Sequence, residues 1–260
     1  MNFNYDNLNI NYEIFETKEA QNSQKPLLLL HGWMAQIESM APIYMYFSKT
    51  RKVYVLDFPG QAGKSSTLTK AWGVPEYSEM VKAFIENQKI EECDVIGHSF
   101  GGRVIIYLAS HYENLFSKII LTDSAGIKPK MTFKKFFKIY SYKLMKNVLK
   151  LVLSKEQFEK KMEEYRKTHG SSDYSKLDSE IMRETFKRVI NLDLTSNISK
   201  INNSTLLIWG ENDQDTPLYM AKKMESLIKD SGLVVLENAG HFSYLDNSAK
   251  YLLVANEFLK

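Results

Sequence analysis

The stretch Cys93-Asp94-Val95-Ile96-Gly97-His98-Ser99-Phe100-Gly101-Gly102 decides how this chain reads. Cys93 to Ile96 is a short apolar run that stops at a glycine, as a buried strand does. Val104 to Ser110 reads as a helix. Between them a serine sits with a glycine two residues away on each side. A strand-to-helix turn this tight strains its central residue and needs small neighbours. It holds the Ser99 hydroxyl proud of the sheet at a helix N-terminus, where the dipole favours developing negative charge.

Working outward, the same punctuation recurs. Leu27–Leu30 ends at His31-Gly32, Val53–Leu56 ends at Asp57 and a Pro-Gly turn, and Ile119–Leu121 ends at Thr122-Asp123. Such runs do not alternate, so they read as strands buried on both faces. Amphipathic stretches such as Glu76–Gln88 lie between them. Strand–helix–strand repetition predicts a parallel sheet covered on both sides. Ile10–Glu16 alternates more and reads as an antiparallel edge strand. From about 128 to 196 no strand-like run occurs. Strands return at Thr205–Trp209 and Leu233–Leu236, each followed by a helix, Leu218–Lys229 and Ser248–Lys260. The expectation is an α/β fold with a mostly parallel central sheet of about eight strands flanked by helices. Its core comprises 1–127 and 197–260, and 128–196 is an inserted helical cap.

Composition fits. The chain has 260 residues, 44% hydrophobic and 25% charged, which excludes disorder, collagen-like repeats and a coiled coil. One cysteine, Cys93, excludes a disulfide framework and a cysteine-rich zinc site. The polar opening MNFNYDNLNINYE carries neither a secretory signal nor a transmembrane run, so a cytoplasmic location is expected. The net charge of +3 hides an asymmetry: residues 128–170 hold 13 Lys+Arg against 4 Asp+Glu, leaving 21 basic and 27 acidic residues elsewhere. In that basic segment Phe133, Phe137, Tyr140, Leu144, Val148 and Leu151 step by three or four. Lys134, Lys135, Lys138, Lys146 and Lys150 take the other side of the same wheel. The apolar side is expected to face the protein or its substrate. The lysine side is a solvated face, or one that makes weak contact with anionic membranes or steers anionic substrates. Nucleic-acid binding is not expected, because the lysines interleave with a packing face and no recognised module appears.

A serine alcohol needs a base, usually an imidazole oriented by a carboxylate. Of five histidines, only His241, in Ala239-Gly240-His241-Phe242, lies on a late loop after a strand, where open α/β sheets place their sites. His98 is adjacent to Ser99 and would point away from it. For the acid, Asp213 and Asp215 share the loop after Trp209. Asp213 is preferred, because Asp215 has an alternative role as cap of the helix near Pro217. Asp123, at another strand end, is a more remote third.

These residues resemble the α/β-hydrolase family along nearly the whole chain. The order Ser99, Asp213, His241 is the order that family uses. Its His-Gly oxyanion motif reads His31-Gly32-Trp33 and its elbow reads Gly97–Gly101. Its Gly-x-x-Asp-x-x-x-Pro acid loop reads Gly210–Pro217 and selects Asp213, and its histidine loop reads Ala239–Phe242. One departure stands out: the family's Asp-x-x-Gly-x-Gly-x-Ser is one residue longer here, Asp57-Phe58-Pro59-Gly60-Gln61-Ala62-Gly63-Lys64-Ser65.

The resemblance implies a cap-bearing serine hydrolase. Ser99 would be the nucleophile, His241 the base and Asp213 the orienting acid, with the backbone N–H groups of Trp33 and Phe100 as oxyanion donors. His31, Gly32, Phe133, Phe137, Tyr140 and Phe242 are expected to touch substrate. The Ser elbow sets aside dehalogenases and epoxide hydrolases, which carry Asp there. Esterases, lipid-ester and thioester hydrolases, and C–C bond hydrolases remain. A small apolar carboxylic ester is the expected substrate. The rival class is a non-catalytic member using the pocket as a sensor. No metal and no organic cofactor are expected, and the sequence leaves the oligomeric state open.

Overall fold

In the computed structural model one sheet of eight strands forms the middle layer, in the order β1-β2-β4-β3-β5-β6-β7-β8. The strands are β1 (Asn2–Tyr5), β2 (Leu8–Phe15), β3 (Leu27–Leu30), β4 (Val53–Leu56), β5 (Cys93–His98), β6 (Phe116–Thr122), β7 (Ser204–Gly210) and β8 (Ser231–Leu236). β1 and β2 pair antiparallel, as do β2 and β4; every pairing beyond them is parallel. The structure describes residues 1–18, 24–129, 141, 145–158, 160–162, 174 and 177–260.

The unbroken apolar runs are explained by two cores, one on each face. Leu28, Leu30, Tyr54, Leu56 and Val95 point into one core; Leu27, Leu29, Val53, Val55 and Ile96 point into the other. Successive strand residues face opposite sides, so a strand buried on both faces cannot alternate in polarity. The first core is closed by α2 (Val74–Asn87) and α3 (Phe100–His111), the second by α1 (Ala41–Phe47) and, at the C-terminal end, a helix over Ser248–Leu259.

Two expectations change, and two elements are new. Ile10–Glu16 is not the edge: β1 covers β2 on its outer side, through register pairs Asn2 with Asn11 and Tyr5 with Leu8. The sequence did not mark β1 or α1, both short and the former half polar. The helix expected over Leu218–Lys229 ends at Glu225.

The basic segment is partly described. Residues 145–152 and 155–158 are helical. Val148, expected to face the protein or its substrate, and Leu151 on the same side of the wheel are 49% and 87% exposed. Phe133, Phe137, Tyr140 and Leu144 lie outside the described residues. Further along, α4 (Glu180–Asn191) returns to the body: Trp72 N–H donates to Thr185 Oγ1 at 3.1 Å, and Arg103 to the Leu192 carbonyl at 2.9 Å. Among the described residues no helix is long and apolar enough to cross a membrane.

Candidate active site

β5 ends at His98 and α3 begins at Phe100, so Ser99 is the whole turn. Its backbone stands at φ 50°, ψ −106°, a conformation that costs a residue with a Cβ about 1–3 kcal/mol. The surroundings over-determine it. Ser99 N–H donates to the Thr122 carbonyl and Ala125 N–H to the Ser99 carbonyl, each at 3.1 Å. The flanking glycines permit close approach: a Cβ on Gly97 would sit 2.8 Å from the Gly101 carbonyl carbon, and one on Gly101 would sit 2.1 Å from the Leu30 carbonyl oxygen.

Two loops at the carboxyl ends of β7 and β8 meet this serine. His241 Nε2 lies 3.0 Å from Ser99 Oγ, and His241 Nδ1 lies 2.9 Å from Asp213 Oδ2. With Nδ1–H donating to the carboxylate, Nε2 is left to accept the Ser99 proton. Asp213 is buried, and its other bonds are all local. Oδ1 accepts from the Asp215 and Thr216 amides at 2.8 and 2.9 Å, and Oδ2 from Thr216 Oγ1 at 2.7 Å. Burial works to raise the Asp213 carboxyl, yet the bonds from His241 and Thr216 outweigh it and hold it below the usual range. Burial likewise works to lower His241, and the bond and charge of Asp213 outweigh it, raising the imidazole above its usual value. The pair is thus poised with the acid charged and the imidazole readily protonated.

The two loops are themselves anchored. Asp123, at the end of β6, accepts from Gly210 N–H at 2.8 Å and Ser243 N–H at 3.0 Å, one amide from each loop. Its backbone oxygen also lies 3.0 Å from Thr216 Oγ1. Asp123 therefore holds both loops and does not touch the imidazole, so it is no rival to Asp213. Asp215 is exposed and caps nothing: the position before the helix at Leu218–Glu225 is Pro217, with no side-chain cap.

Across the nucleophile lies the loop after β3. A Cβ on Gly32 would come within 3.5 Å of Ser99 Cβ, so the Gly32-Trp33 backbone runs beside the serine. Among the described residues, neither the Trp33 nor the Phe100 amide is spent on a hydrogen bond. The Trp33 ring packs edge-on to Phe100 at 5.4 Å and tilts against Phe186 of α4 at 5.3 Å. The longer Asp57–Ser65 loop supports this wall: Gln61 Oε1 accepts from Met34 N–H at 2.6 Å, and Asp57 Oδ1 from Ile37 N–H at 2.8 Å. Ser65 is a turn residue, donating to the Asp57 carbonyl at 2.6 Å.

Sequence reasoning placed His31 against substrate, and this is corrected. The His31 side chain is fully buried, with Nε2 accepting from Phe58 N–H at 3.1 Å and Nδ1 donating to the Gly32 carbonyl at 2.8 Å. Burial pushes its imidazole below the usual value, against the pull of the Gly32 carbonyl and Asp57. It braces the loop, with both ring nitrogens spent on backbone partners. Phe242 is 44% exposed and packs on His98 with ring centres 5.0 Å apart. Phe133, Phe137 and Tyr140 lie outside the described residues. Gln61, Phe186 and the anchoring role of Asp123 escaped the sequence, although the extra residue in the Asp57 loop was the visible sign of Gln61.

Asp213, Asp215 and His241 bring ligand-type atoms within 4.8 Å of one another. Asp213 Oδ2 and His241 Nδ1 are bonded to each other, so a cation there would have to part them.

A family model described as alpha/beta hydrolase fold matches residues 25–248. The chain is 25% identical over 255 residues to the uncharacterized hydrolase YugF of Bacillus subtilis (strain 168), covering 92% of this chain and 90% of that protein. It is 23% identical to the monoacylglycerol lipase ABHD6 of Bos taurus, covering 95% and 79%. The enol-lactonase from Burkholderia xenovorans LB400 superposes with a TM-score of 0.76 at 18% identity, covering 100% of this chain and 99% of that one.

Proposed function

The chain belongs to the α/β-hydrolase fold family, and from that premise we propose that it is a serine hydrolase cleaving a small, apolar carboxylic ester. One observation carries this reading: Ser99 Oγ, His241 and Asp213 form an unbroken hydrogen-bonded line, at 3.0 and 2.9 Å. Ser99 Oγ attacks the ester carbonyl while His241 Nε2 takes its proton. Asp213 keeps the Nδ1–H tautomer and stabilises the imidazolium. The Trp33 and Phe100 amides receive the oxyanion; in other hydrolases one such donor supplies about 3–4 kcal/mol of transition-state stabilisation. His241 then protonates the leaving alcohol, and water activated by the same imidazole releases the acid from Ser99.

An apolar acyl group is supported by the aromatic packing of Trp33, which follows Gly32 beside the nucleophile and meets Phe100 edge-on and Phe186 at a tilt. A monoacylglycerol is the concrete form we put forward, since a relative bears that name. Residues 128–196 are read as the lid of this pocket, with α4 bringing Phe186 to Trp33. The buried free thiol of Cys93 suits a reducing cytoplasm, where we place the protein.

Labelling with a fluorophosphonate probe tests the chemistry: wild type should label and Ser99→Ala should not. Folded wild type that stays unlabelled would favour the sensor reading. A panel of p-nitrophenyl esters, a monoacylglycerol, an acyl thioester and a dienoate ring-fission product tests the substrate class. Turnover confined to the thioester or the dienoate would replace the ester with a thioester or C–C substrate.

A further inference from the structure

Outside the site, the segment 145–162 exposes apolar side chains that a folded protein would ordinarily cover. Val148, Leu151 and Val152 are 49%, 87% and 75% exposed, and their spacing of three and four residues makes one ridge on the helix 145–152. Met145 and Leu149, four apart and half-buried, form a separate stripe. Lys146 and Lys150, also four apart and exposed, form a third stripe. The helix then breaks. Ser154 N–H donates to Gln157 Oε1 at 3.2 Å and Gln157 N–H to Ser154 Oγ at 3.3 Å, a reciprocal cap that starts a second helical stretch. Lys155, Lys160 and Lys161 are exposed on it. Among the described residues none of these five lysines is ion-paired.

We propose that this segment seats the protein on an anionic lipid surface, with the Val148–Leu151–Val152 ridge entering the headgroup boundary and the lysines meeting the headgroups. The two features require the same occupant. Exposed aliphatics beside unpaired lysines suit a surface that is apolar below and negative above, and long lysine stems reach upward from a buried ridge. Among the described residues no helix is long and apolar enough to span a bilayer, whereas the helical stretch 145–152 suits lying in its plane. A second copy of this chain is a poor occupant, because two-fold pairing would face one segment of 13 basic and 4 acidic residues with another. The proposal draws on none of Ser99, His241 and Asp213, so it stands whether or not the protein cleaves an ester.

Sedimentation of the full chain with vesicles tests it, using phosphatidylcholine with and without phosphatidylglycerol. Wild type and Ser99→Ala should bind the mixed vesicles alike, bind pure phosphatidylcholine weakly, and lose binding as salt rises. Lys146→Gln and Lys150→Gln should each weaken binding about five-fold. Leu151→Asp with Val152→Asp should weaken it by about ten-fold or more at unchanged charge on the lysines. Circular dichroism and thermal melting of these variants guard against misfolding. The proposal is overturned if wild type fails to bind mixed vesicles at low salt, or binds pure phosphatidylcholine equally well. It is also overturned if the Leu151/Val152 variant binds as wild type does, or if wild type is a dimer that this variant dissociates.

Discussion

The imidazole of His98 donates from Nε2 to the backbone carbonyl of His241 at 2.7 Å. The residue before the nucleophile thereby holds the residue proposed as its base. Burial, then the neighbouring His241, push the His98 imidazole down to about 3, so it stays neutral and keeps its single proton on the bonded nitrogen. His98→Phe should fill the space and lose the bond, letting the His241 loop drift. A net bond of this kind is worth about 1 kcal/mol, so kcat should fall about five-fold with KM little changed. His98→Asn, which retains a donor, should recover part of it. Steady-state kinetics on one p-nitrophenyl ester decide, and an unchanged kcat in His98→Phe would remove the positioning role.

His241 must be neutral to accept the Ser99 proton, so turnover should rise with pH through its pKa. Burial works to lower that value and Asp213 raises it further, which puts the acid limb above the ordinary histidine value of about 6.5. In Asp213→Asn the larger raising influences, the bond and charge of Asp213, vanish, and only the charges of Asp123 and Asp215 still oppose burial. The acid limb should move to lower pH while the plateau falls by about three to four orders of magnitude, as the tautomer is lost. A pH–rate profile of both proteins checks the two shifts together. An acid limb that stays in place would mean that another group titrates.

Gln61 lies on the Asp57–Ser65 loop and accepts from Met34 N–H, one residue beyond the proposed oxyanion donor Trp33. Met34 is held at φ 53°, so this bond supports a strained backbone. Gln61→Leu should keep the packing and free the Met34 amide. The expected result is a fall of about five-fold in kcat, by loss of about 1 kcal/mol of net bonding, with the Ser99–His241 contact and the fold intact. A rate equal to wild type would confine Gln61 to loop structure.

How much of this was written in the sequence depends on the range of the interaction. The Ser99 elbow, the strand ends and the order Ser99–Asp213–His241 are local: each rests on residues within a few positions, and the turn chemistry shows in the letters. Placing His31 against substrate failed because its burial comes from Phe58, twenty-seven residues away, which a motif does not encode. Val148 and Leu151 are a different case. Their helical period is real, but periodicity says only that residues share a face, and this face points to solvent. β1 was silent because a four-residue strand with two asparagines has too little apolar signal to outweigh a loop.

Asp123 makes the sharpest stability prediction. Burial lifts its carboxyl to about 7, although the Gly210 and Ser243 amides pull the other way. The unfolded value lies near 3.9, so the protonated form favours the folded state. That contribution is whole below about pH 4 and is lost as the pH rises through about 7. Asp123→Asn cannot titrate, and its amide can accept from only one of the two N–H groups, leaving the other facing a donor. An unsatisfied buried amide costs roughly 1–3 kcal/mol, so the variant should melt earlier. The gap in Tm should be widest in acid and narrow toward neutral pH. Because the two amides that Asp123 holds belong to the Asp213 and His241 loops, freeing either should lower kcat as well. Thermal melts of both proteins from acid to neutral pH give the answer; a gap that widened toward neutral pH would reverse the assignment of burial as the dominant influence on Asp123.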